Sequence, residues 1–352
     1  MPDNVQRFLA DGGSDYGLSL KVFWGSVVEA FRNRVMLFPF NGMYADNVGP
    51  QFIAHKALSG TNSTQFLMWS DMPAAEEHTP GDELNGQQFE VEDGTISIDG
   101  FLTAHVEVPE DQLLASHFDV LQQAGSKLGY QLADKYDRRL FVLGCNAART
   151  AAVTKNGRTI HNGGNLVQGT NATVAGAYPV SSAGAIAYRN SAEELAQAMD
   201  EDDVPETGRY LFITPYIRRV LNQDTSIFDV RYSQNSNDNN FNNRLIGKLA
   251  GFDILVANNK LPRTNITLAT EPTYSKYRGD FTVGATTGTP VGLALCGAQD
   301  GMAAIGSVSL QGIVPEMEKD IKRSVYFMKA QILMGADVMH PWCAGSIEVQ
   351  SA

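Results

Sequence analysis

The sequence predicts an α+β chain built on one long helix and a set of strand-forming runs. Three observations carry this. Residues 120–143 contain no proline and repeat apolar side chains at three- and four-residue spacing: Leu121, Ala124, Gly125, Leu128, Leu132, Tyr136, Leu140 and Leu143. Strand-like runs at 64–69, 87–91 and 95–107 flank a polar, acidic stretch, which predicts a long hairpin. Short apolar runs at 210–213, 251–257 and 290–296 are separated by helix caps and turn residues.

Residues 1–17 are polar and are expected to form a mobile arm. Residues 18–32 place Leu20, Phe23, Trp24, Val27, Val28 and Phe31 at helical spacing. Breaks follow at Pro39, Gly42 and Pro50. The segment 58–107 reads as one long hairpin whose tip, residues 70–85, holds two prolines and five acids. An isolated two-stranded hairpin is marginally stable, so this one needs a surface to lie on. That surface is either the rest of its own chain or a second copy.

Pro109 is expected to end the returning strand, with Glu110 and Asp111 in the first turn of a short helix. Asp119 with Gln122 forms a capping-box pattern that opens the long helix. Asp134 and Arg138 are a favourable i,i+4 pair on its polar side. Residues 146–190 are low in charge and rich in turn signals, as in a surface connection with some extended structure. Ser191 with Glu194 is a second capping box, and the helix it opens should end at the acids Asp200 to Asp203. Thr214 and Pro215 fit the cap and first position of a further helix after the strand 210–213. The asparagine-rich stretch 233–243 cannot pack a core. Near the end, Met317, Ile321, Val325, Met328 and Ile332 fit a helix from Pro315. From Met328 onward the same residues also alternate as a strand does. A last strand is expected at 346–349.

A chain of 352 residues with 43% apolar residues can bury two or three subdomain cores. Its net charge of −12 argues against tight, sequence-independent nucleic-acid binding, but allows it to face packed DNA without sticking. Cys145, Cys296 and Cys343 lack metal-ligand spacing and suggest a reduced compartment, with Cys296 a small core residue. The amino terminus does not read as a signal peptide, and no apolar run is long enough to span a membrane.

The search for chemistry is short. His55, His78, His105, His117, His161 and His340 are scattered, and His161 reads as solvated. His340 and Cys343 stand three apart but lack the further ligands of a zinc site. Asp99, Glu110 and Asp111 are explained by a turn and a helix start. No catalytic, cofactor-binding or metal residue is assigned, and no cofactor is expected.

Several stretches, in order, resemble major capsid proteins of short-tailed double-stranded DNA bacteriophages. They are "LKVF" with "V..AF" at 20–31, "IDGFLTA" at 98–104, "LGYQLADKYDRRL" at 128–140, "RYLFITPYIRRVL" at 209–221 and "GFDILVANNKLP" at 251–262. The resemblance implies the Hong Kong 97-type capsid fold. It divides the chain into an N-terminal arm (1–57), an E-loop hairpin (58–107), a peripheral domain (108–190 and 313–352) with its spine helix at about 120–143, and an axial domain (191–312). It favours strand over helix near 320–350. It implies self-assembly through hexamers and pentamers into an icosahedral shell of triangulation number seven. Scaffolding protein, a portal at one vertex and packaged DNA would be the other partners, with assembly in the host cytoplasm. An encapsulin-like compartment shell and a soluble α+β enzyme are the alternatives.

Overall fold

The computed structural model describes residues 14–37, 52–70, 75, 77, 78, 83, 86, 88–115, 120–169, 178–224, 239, 240, 245–284, 287–297 and 302–350. Two sheets share one long helix, α3 (Val120–Ala148). The first half of α3 buries one stripe, including Leu128, Leu132 and Tyr136. From Leu140 onward nearly every residue is buried. Gly144 shows why: a Cβ there would meet Leu293 and Leu295 of one sheet and Ile305 of the other. The helix is expected to stop at 143, where its one-sided pattern ends. It runs on to Ala148 because its last turns are enclosed on both sides.

The first sheet has four strands in the order β1 (Ala54–Ala57), β14 (Ile305–Asp320), β15 (Val325–Val338) and β4 (Leu102–Pro109). The predicted alternative of a helix from Pro315 is overturned here. Tyr326, Met328, Ala330, Ile332, Met334 and Ala336 are buried on alternate positions, the period of a strand. Ile321, which the helical reading counts as core, is 83% exposed at the turn between β14 and β15. Pro315 is tolerated because β1 pairs only with 306–309, leaving that side of β14 unpaired.

The second sheet has six strands: β11 (Lys248–Leu249), β12 (Phe252–Val256), β8 (Arg209–Ile213), β13 (Thr289–Cys296), β16 (Ala344–Val349) and β7 (Asn165–Gly169). Its central runs LFI and GLALC are apolar throughout because both faces are covered. Helix α5 (Pro215–Leu221) starts as expected, with Thr214 Oγ1 accepting the Ile217 N–H and proline at the first position.

Helix α4 (Ser182–Glu201) corrects the expected start at Ser191. Its cap is Ser181, whose side chain accepts from Gly184. Ala185, Tyr188, Ala192, Leu195 and Met199 then form one buried stripe running through the expected boundary. Ser191 Oγ instead bonds back to the Ala187 carbonyl at 3.2 Å and meets Tyr178 Oη at 2.9 Å.

The first helix, α1 (Ser14–Arg34), begins inside the expected arm, so residues 14–17 are helical. It lies on α3 with Phe23, Val27 and Phe31 fully buried. The rest of the arm, the cap at Asp119 and most of 233–243 fall outside the described residues. At the far end of α3, Arg149 makes a bidentate pair with buried Glu348, at 2.8 Å for both bonds. It also donates to the carbonyls of Asp280 and Gly288.

Candidate inter-subunit contact surfaces

The hairpin is shorter than expected. β2 (Ser63–Trp69) pairs with β3 (Val91–Ser97) from Ser63↔Ser97 to Trp69↔Val91. The chain then turns at 98–101, and β4 joins β15 in the four-stranded sheet instead of prolonging the hairpin. Asp99 fixes that turn. Its carboxylate accepts from Tyr277 Oη at 2.6 Å and pairs with Lys276 Nζ at 2.8 Å. Tyr274 Oη meets the Gly100 N–H, and the Asp99 N–H donates to the Met334 carbonyl. Burial, with the Asp99 charge beside it, pushes the Tyr277 phenol well up, so it remains a donor.

Strand alternation gives the hairpin two unlike faces. On one, Phe66 covers Gly94, where a Cβ would come within 2.1 Å of the ring, and approaches the His340 ring at 6.3 Å. On the other, Leu67 and Trp69 are 54% and 53% exposed, and Trp69 packs against the exposed Phe89 at 5.4 Å. One face serves the chain itself. The other offers apolar area to solvent.

The β14–β15 turn is a second outward feature. Around Ile321, Lys319 pairs with Glu110 at 2.6 Å and Arg323 pairs bidentately with Glu107 at 3.0 Å. Exposed pairs of this kind contribute at most about 1 kcal/mol each. Glu110 therefore braces a turn, and Asp111 lies exposed beside it.

Four of the described histidines pack against other residues of the fold, and His78 is exposed. His55 sits between the hydroxyls of Ser307 and Ser309, at 2.9 and 3.1 Å, and burial lowers its pKa to about 4. His161 is buried, which corrects the solvated reading. It stacks on Trp342, and its Nδ1 accepts the Gly163 N–H in a tight turn. His105 stacks on Phe327. His340 and Cys343 are joined by a backbone turn, and the Cys343 thiol is buried. Among the described residues no group of three His, Cys, Asp or Glu side chains could hold a metal. None of the described helices is long and apolar enough to cross a membrane.

A cleft of about 510 Å³ lies between α3 and the segment 259–277. Lys260 Nζ is buried in its floor, 2.8 Å from Asp134 and 3.0 Å from Asp137. Glu271 binds Lys135 at 2.5 Å and also Arg139. Burial alone would raise the Glu271 carboxyl. The hydrogen bonds and charges of Lys135 and Arg139 outweigh it and hold the pKa below the ordinary 4.5. Its stabilising contribution is therefore complete above pH 4.5 and lost as pH falls through the lower folded value. Glu271→Gln is expected to flatten the fall in stability below pH 4.5, read by urea unfolding across pH 3–6.

Residues 65–348 match the Gp10A-like family, described as major capsid protein. The chain belongs to that family. This capsid protein is a structural subunit of a viral shell. Its mixed α+β fold is of the Hong Kong 97 type. The capsid structure of the cyanophage P-SCSP1u matches with a TM-score of 0.68 and 22% identity, covering 90% of this chain and 94% of that one. The mature capsid of bacteriophage PhiM1 matches with a TM-score of 0.68 and 14% identity, over 90% and 92% of the two chains. A Mycobacterium phage Che8 structure gives 0.55 at 12% identity, over 90% and 97%. At these identities the likeness speaks for the fold. No curated protein matches the chain.

Proposed function

We propose that this capsid protein builds the icosahedral shell, of triangulation number seven, of a short-tailed double-stranded DNA phage. Residues 1–57 serve as the arm, 58–101 as the E-loop, and 102–190 with 313–352 as the peripheral domain around the spine helix. Residues 191–312 form the axial domain at the centre of hexamers and pentamers. Assembly takes place in the host cytoplasm with scaffolding protein and a portal at one vertex. Packaged DNA then faces an acidic inner wall that does not grip it.

The two-faced hairpin carries this reading. It is joined to its own chain at the base and through Phe66, while Leu67, Trp69 and Phe89 stay exposed. A neighbouring copy would cover them. Deleting residues 70–85 is expected to leave a soluble subunit that forms no stable shells by electron microscopy. Normal particles from that deletion would overturn the assignment of the hairpin as a lapping arm.

A further inference from the structure

The cleft beside α3 holds more cation than its own carboxylates neutralise. Lys135, Arg138, Arg139, Lys260 and Arg263 line it. Glu271 is already shared by two of them. Asp134 is shared by Lys260, Arg138 and, from α1, Arg34. Asp137 is buried on Lys260 and on the backbone N–H groups of Met36 and Leu37. Five cations thus share three carboxylates. Arg263 is exposed and makes no ion pair among the described residues. The surplus stands out in a chain of net charge −12.

The complementary feature is the hairpin loop. Residues 70–85 hold five carboxylates and no Lys or Arg, and Glu77 and Glu83 are exposed. We propose that the basic cleft beside α3 receives this acidic loop from a second copy of the chain, with Arg263 and Arg138 at the mouth meeting its carboxylates. The proposal rests on the reading of the hairpin as a lapping arm and adds where its tip lands. Charge at such a rim steers encounter and fixes register more than it adds affinity. The competing occupant is the chain's own segment 38–50, which follows Leu37 in the sequence but carries a single carboxylate, Asp46.

The test uses full-length chains. One carries Glu77→Cys and another Arg263→Cys, co-assembled and treated with a short bis-maleimide; the three native thiols are buried. Covalent dimers are expected in shells and not in isolated subunits. Shells that form without dimers would overturn the landing site while leaving the lapping arm intact. Shells from the 70–85 deletion would remove the lapping arm itself. An efficient link within one chain between Asp46→Cys and Arg263→Cys would give the cleft to the chain's own segment and overturn the proposal. If the thiol variants form no shells, charge exchange decides. Arg263→Glu is expected to lower shell yield about tenfold, and Glu76→Lys with Glu77→Lys to restore it; failure of the restoration overturns the proposal.

Discussion

Gly129→Val is expected to loosen α1 from α3 and to cost the subunit about 3 kcal/mol, the upper end of over-packing. A Cβ at Gly129 would lie 2.4 Å from the Val27 carbonyl oxygen, 3.0 Å from the Ala30 Cβ and 3.1 Å from the Phe31 nitrogen. Two of these are backbone atoms of a helix, so no rotamer change relieves the clash. The helices must separate, and separation exposes Phe23, Val27 and Phe31, all now fully buried. Each of those side chains is worth about 1.5–3 kcal/mol on full burial. Gly125, one turn earlier, is a milder case because its nearest neighbour is the rotatable Ser26 hydroxyl at 2.2 Å. Gly25, on the exposed side of α1, has nothing within 4 Å. Gly25→Ala should therefore stabilise by up to about 1 kcal/mol through helix propensity. Urea unfolding of Gly129→Val, Gly125→Val and Gly25→Ala should rank them in that order, from least to most stable. A Gly129→Val subunit as stable as the parent would show that α1 is not held by this close approach.

This contact was half legible. The apolar stripe of the long helix, Gly125 included, is visible in the sequence because helical periodicity is a local signal. The same holds for the Thr214 cap and for the runs at 210–213, 251–257 and 290–296, whose strand character survives in the fold. The errors arise where two local patterns compete. Ser191 and Glu194 have capping-box spacing, but the stripe through Ala185 and Tyr188 extends the helix upstream to Ser181. Met317 to Ile332 satisfies helical spacing by coincidence, and only pairing with β4 and β15 settles it as strand. Long-range polar partners leave no mark at all. Nothing near Arg149 in the sequence points to Glu348, 199 residues away. Nor does anything near Asp99 point to Tyr277.

Lys260→Met is expected to be the most damaging polar substitution, at about 3–5 kcal/mol. Lys260 is 3% exposed and Asp137 is fully buried, 3.0 Å apart. Removing the cation leaves Asp137 with only the N–H groups of Met36 and Leu37, and burial already pushes its carboxyl up. The orphaned carboxylate can then be tolerated only by taking up a proton. The variant should accordingly regain more stability than the parent as pH falls, because losing Lys260 removes the charge that holds the Asp137 carboxyl down against burial. Adding Asp137→Asn removes the buried charge but keeps an acceptor for Met36. The double variant should therefore be more stable at pH 7 than Lys260→Met alone, a non-additivity that marks the pair as coupled. Equal losses for the single and double variants would mean that Lys260 acts through Asp134, at the cleft surface, and not through the buried carboxylate that ties α1 to α3.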